Sequence, residues 1–169
     1  MDDLYRVEAW QALYTAVAGA TAALTGLLFI ALSLNLHTII KVPTHRARAR
    51  ETLGATLSLL VLSLLMLIPE QDRRVLGSEL IAGSLVLVLV AVKFHRQTLR
   101  QMVAGRRVRW ALRLAVLHLG TVSMLVAGIS LVVGQLGGLF WLVPTILIYL
   151  VWSLNNAWRL VVQVSEEES

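Results

Sequence analysis

Five runs of apolar residues, separated by short polar or charged stretches, dominate the chain: roughly 12–36, 53–68, 75–92, 110–133 and 139–158. A helix needs about 20 apolar residues to cross the hydrocarbon of a bilayer, and these runs approach that length. The second and third are short, so each predicts a helix that continues past its apolar part, the second from near Thr44 after Pro43 and the third to about Met102. Pro69 ends the second helix, and Gly134, Gly137 and Gly138 break the fourth from the fifth. The expectation is an all-α fold, a single polytopic transmembrane bundle of five spanning helices over 1–169 with no soluble domain.

Helical spacing then sorts each run into faces. Lipid tails are as apolar as leucine, so membrane helices associate through close packing of small residues and through polar contacts. In the first run Ala12, Ala16, Gly19, Ala23 and Gly26 share one smooth face. About 160° away lie Tyr14, Ala18, Thr21, Thr25, Leu28, Leu32 and Asn35. Such a helix is expected to be surrounded by protein, although its threonines can also bond back to their own carbonyls. The fourth run repeats the smooth face with Gly120, Ser123, Ala127, Ser130 and Gly134. The fifth places Trp141, Thr145, Tyr149, Trp152, Asn156 and Arg159 within about 80° of arc. Trp141 and Trp158 read as interfacial anchors, whereas Tyr149, Trp152 and Asn156 sit deeper, as candidates for lining a cavity or pore together with Thr21, Thr25 and Asn35.

Composition makes the bilayer part of the solvent: 57% of 169 residues are hydrophobic and 15% charged, more apolar surface than one soluble core of this size hides. The net charge of +5 falls in short connections between apolar runs, which excludes one continuous basic face for nucleic acid and favours anionic lipid headgroups. Lys41, Arg46, Arg48, Arg50, Lys93, Arg96, Arg100, Arg106, Arg107, Arg109, Arg113 and Arg159 belong to one side. Only Arg6, Arg73 and Arg74 belong to the other, mixed with Asp2, Asp3, Glu8, Glu70 and Asp72. Positive connections stay cytoplasmic, so the N-terminus is expected outside and the C-terminus inside, which requires an odd number of spans. The first residues lack the basic start of a secretory signal, and the first apolar run is expected to be retained. Lys93, Arg96, Arg100, Arg106, Arg107 and Arg109 alternate with apolar residues and are expected to lie on anionic headgroups, each cation contributing about 1 kcal/mol.

Reactive chemistry is sparse. There is no cysteine, no acidic residue at mid-depth, no nucleophile motif and no phosphate loop, so neither an enzyme nor a metal, cofactor or proton-coupled site is expected. Glu51 and Glu79 fall near helix ends, and His37, His45 and His95 at the cytoplasmic boundary. His118 lies about two turns inside the fourth run, the candidate pH-sensitive side chain, although a histidine bonded within a bundle has the same signature.

The run Ala18 to Leu36, followed by Arg50-Glu51-Thr52-Leu53, resembles the opening of small uncharacterised bacterial integral membrane proteins, some of which are labelled modulator of FtsH protease. The resemblance covers about the first third of the chain and implies the bacterial cytoplasmic (inner) membrane. The residues themselves point to a non-enzymatic protein that works through helix packing, as a homo-oligomer or as a regulator of another membrane complex. An oligomeric pore or channel is the alternative.

Overall fold

Each apolar run forms a helix, and most of the helices outrun the apolar stretch that announces them. The computed structural model describes residues 4–100 and 104–168, with side chains over 4–42, 45–93 and 115–159. The helices are α1 (Gln11–Leu34), α2 (Leu36–Lys41), α3 (Pro43–Leu65), α4 (Arg73–Arg100), α5 (Ala104–Val133) and α6 (Leu142–Glu168), with 3-10 turns at Val7–Trp10 and Gly138–Trp141. The described residues contain no strand. Lys, Arg, Gln and Glu are good helix formers, so the charged flanks of α3, α4, α5 and α6 stay helical where hydropathy falls. The first run, by contrast, is interrupted. Asn35 leaves helical geometry at φ −107° and its side-chain amide donates to the Ala31 carbonyl at 2.9 Å, which splits α2 from α1. Pro43 opens α3, where its missing N–H costs nothing. Asp72 caps α4, its Oδ1 accepting the N–H groups of Arg74 at 2.7 Å and Val75 at 3.3 Å.

Four stretches have the length and composition to cross a membrane: Val7–Leu34, Arg73–Lys93, Ala115–Val133 and Gly138–Arg159. α3 does not meet that standard as a whole, because Arg46, Arg48, Arg50 and Glu51 occupy its first turns. The distribution of side chains is that of a membrane protein. Thr21, Thr52, Thr56, Ser63, Ser84, Thr145 and Ser153 are buried, while Leu27, Phe29, Leu89, Val151 and Leu154 point outward. Most of these hydroxyls donate to their own helix, as Thr56 does to Thr52 at 3.0 Å and Ser63 to Leu59 at 2.9 Å, while Thr145 donates across to Gly120 of α5.

One end of the bundle joins its distant parts. The Tyr5 hydroxyl accepts the Gly137 N–H at 3.0 Å, and the Arg73 guanidinium lies 5.8 Å from the Tyr5 ring centre. The start of α1, the α3–α4 connection and the α5–α6 turn therefore share that end, and the five long helices alternate in direction. Packing follows the order α1, α3, α6, α5, α4, so α4 lies against α5 and barely touches its chain neighbour α3. The α4–α5 seam is close enough to need glycine: a Cβ on Gly128 would sit 2.8 Å from the Gly77 carbonyl oxygen, and a Cβ on Gly77 equally close to that of Gly128. The core, from Tyr14, Leu59, Leu62, Met66, Leu76, Leu131, Leu139 and Leu142, is concentrated towards the same end.

Candidate functional site

Because α3 and α4 diverge from their shared connection, a cavity of about 180 Å³ opens between them. Ala47, Glu51, Gly54, Ala55 and Ser58 line it from α3 at helical spacing, with Arg50 beside them. Leu87, Val90 and Ala91 face it from α4, Leu117, His118 and Thr121 from α5, and Tyr149 from α6. At 1.5 Å per residue, Glu51 lies about 21 Å along α3 from its Leu65 end and His118 about 22 Å along α5 from Val133. Those ends belong to the same face of the bundle, so the carboxylate and the imidazole stand at one depth. The Thr121 and Tyr149 hydroxyls share a 2.7 Å hydrogen bond, and Thr145 donates to the Gly120 carbonyl at 2.9 Å. Gly120 makes this seam possible, since a Cβ there would meet the Tyr149 ring at 2.8 Å. A carboxylate, an imidazole and a phenol on mainly apolar walls give the cavity a few polar groups of the kind that orient a bound polar head. Glu51, expected near a helix end, stands about two turns inside α3 from Pro43 and belongs to this wall.

The other sequence candidates separate into three groups. Gly120, Ser123 and Ala127 are buried inside the chain, where Ser123 donates to the Trp141 carbonyl at 2.5 Å, so this smooth face is already occupied by α6 and its preceding turn. Thr21, Thr25 and Asn35 bond to their own helix, Thr21 to Val17 at 2.7 Å and Thr25 to Thr21 at 2.7 Å, and line neither cavity described here. Trp152 and Asn156 line a separate groove of about 510 Å³ on the outer side of α5 and α6, apart from the cavity that Tyr149 closes. Of the cations expected on anionic headgroups, Lys93 is exposed, and the side chains of Arg96, Arg100, Arg106, Arg107 and Arg109 lie outside the described residues.

Gly19, Ala23 and Gly26 differ from the buried smooth face of α5. All three are exposed, together with Ala12, Ala16, Ala20 and Ala22, and a Cβ on Gly19 or Gly26 would meet nothing within 4 Å. The exposed residues of α4 are large and branched by comparison, among them Leu85, Val86, Leu89 and Val90. Both helices stand at an edge of the bundle and have 22% of their apolar window buried, against 44% for α5 and α6. They differ in what they show to the surroundings.

No family model matches the chain, and no curated protein or solved structure is significantly similar to it. Among the described residues, no three potential metal ligands come together.

At the end opposite Tyr5, the first turns of α3 meet the last apolar turns of α6. Burial and the charge of Arg159 pull the Arg48 guanidinium below its ordinary pKa, while Glu51 opposes them. His45, Thr52 and Asn156 are buried in the same region, and the Arg159 Nε donates to Asn155 Oδ1 at 2.9 Å.

Proposed function

We propose that this chain is a non-enzymatic, multi-pass protein of the bacterial cytoplasmic membrane that works by helix packing and self-associates through the outer face of α1. The observation that carries this reading is the open small-residue face of Ala12, Ala16, Gly19, Ala23 and Gly26 on an edge helix. A lipid-facing helix gains from large aliphatic side chains, as on α4, whereas small residues let a second backbone approach closely. A single patch that pairs with its own copy closes as a two-fold dimer. The same face, matched to a different helix, is what a regulator of another membrane complex would present.

In this reading five helices span, α3 crossing with its segment from about Leu53, and the Tyr5 end faces outward. The alternation of helix directions supports an odd number of crossings, and the charge distribution supports the orientation. Cross-linking in native membranes tests the association. Ala16→Cys and Ala23→Cys are expected to give a covalent dimer on oxidation, while Val86→Cys on the lipid face of α4 stays monomeric. Equal cross-linking at all three, or none at α1, contradicts the reading.

A further inference from the structure

The groove on α6 has a polar end and an apolar length. Leu147, Ile148, Val151 and Trp152 line it towards the middle of the helix, with Val116 of α5 as its opposite wall, and Asn155, Asn156 and Arg159 close one end. From Leu147 to Arg159 is 12 residues, or ~18 Å of helix, close to the ~15 Å that one leaflet contributes to a ~30 Å hydrocarbon core. A cavity of roughly 150 Å³ takes a benzene ring, so about 510 Å³ has room for ~20 carbon atoms, the bulk of one acyl chain.

The polar end is built for an anion. Asn155 Oδ1 is taken by the Arg159 Nε, which fixes the guanidinium and leaves the terminal nitrogens of Arg159 and the amide N–H groups of Asn155 as donors. Arg48 adds a second guanidinium near enough to feel Arg159, and Glu51 supplies one negative charge against the two. These three charges sum to a positive balance at the Arg159 end of the apolar span Gly138–Arg159.

We propose that Arg159, Asn155 and the α6 groove form a discrete site for one anionic phospholipid, with its phosphate on Arg159 and Asn155 and one acyl chain along Val151 and Leu147. Its residues are separate in the sequence from the basic stretch between Lys93 and Arg109. With the orientation proposed above the lipid belongs to the inner leaflet; the pairing of cation and groove holds in either leaflet.

Native mass spectrometry of the full chain in nonionic detergent, titrated with phosphatidylglycerol or with phosphatidylcholine of the same chains, reads the site directly. The wild type is expected to retain one tightly bound phosphatidylglycerol more than Arg159→Gln, with a preference over phosphatidylcholine of about fivefold lost in the variant. Arg159→Lys restores most of it, and Val151→Trp, which fills the groove, weakens both lipids. Glycerol phosphate, which carries the headgroup chemistry without a chain, is expected not to compete. Equal lipid retention by wild type and Arg159→Gln, or full competition by glycerol phosphate, overturns the proposal. So does a change in subunit number with Val151→Trp, which would make the groove a protein contact. Self-association through α1 is unaffected by these variants, so failure of the lipid site and failure of the dimer are separate results.

Discussion

Glycine has opposite meanings at different positions in this chain, and the difference is what the missing Cβ leaves beside it. At Gly128 it leaves space for α4, and a Cβ there would press on the Gly77 carbonyl oxygen at 2.8 Å, the Ile81 side chain at 2.9 Å and the Ile81 backbone nitrogen at 3.0 Å. Gly128→Val is therefore expected to overpack the seam by about 1–3 kcal/mol and to lower the thermal unfolding temperature in detergent. Gly19→Val meets open space within the chain and should leave that temperature unchanged. A bulky residue at Gly120 falls in the first class, because Tyr149 occupies the space, so Gly120→Leu damages the fold and does not report on assembly. Spacing alone ranks these glycines together; only the neighbours distinguish them.

Among the elements, the α5–α6 turn is held by one serine and by backbone geometry. Ser130 donates to the Gln135 carbonyl and accepts the Gly138 N–H at 2.7 Å, while Gly134, Leu136, Gly137 and Gly138 all have positive φ. Ser130→Ala leaves the buried Gly138 N–H unpaired, and a loss of about 1–3 kcal/mol is expected in detergent unfolding. The turn was legible from its glycines, as were the all-helical character and the approximate apolar segments, because length and hydropathy decide both. The start of α3 at Pro43 and the continuation of α4 to Arg100 were legible too, but the extension of α6 to Glu168 was not, since arginine and glutamate continue a helix as well as leucine does. The break at Asn35 is local, with the side-chain amide and the backbone N–H both donating to Ala31, and no periodicity announces it. Nor could hydropathy reveal that α3 and α4, joined by a short connection, would separate and leave Glu51, His118 and Tyr149 around one cavity.

For the whole molecule, the distribution of polar groups separates a membrane protein from a soluble one: hydroxyls inside, leucine and valine outside. Absence of cysteine makes the orientation easy to examine with single reporters. Asp72→Cys is expected to react with an impermeant maleimide from outside the cell and His37→Cys only after the membrane is opened; the reverse pattern would invert the proposed topology. The sequence showed two patterned faces on α1, but periodicity defines faces without saying which one the same chain covers. The fold covers Tyr14, Thr21 and Leu28 and leaves Gly19, Ala23 and Gly26 open. The most direct test of self-association through that open face is the mass of the protein in native lipid particles, for the wild type and for Gly19→Leu with Gly26→Leu. Two copies in the wild type and one in the variant, with the same unfolding temperature, are predicted. A wild type of one copy, or a variant that keeps its partner, would contradict it.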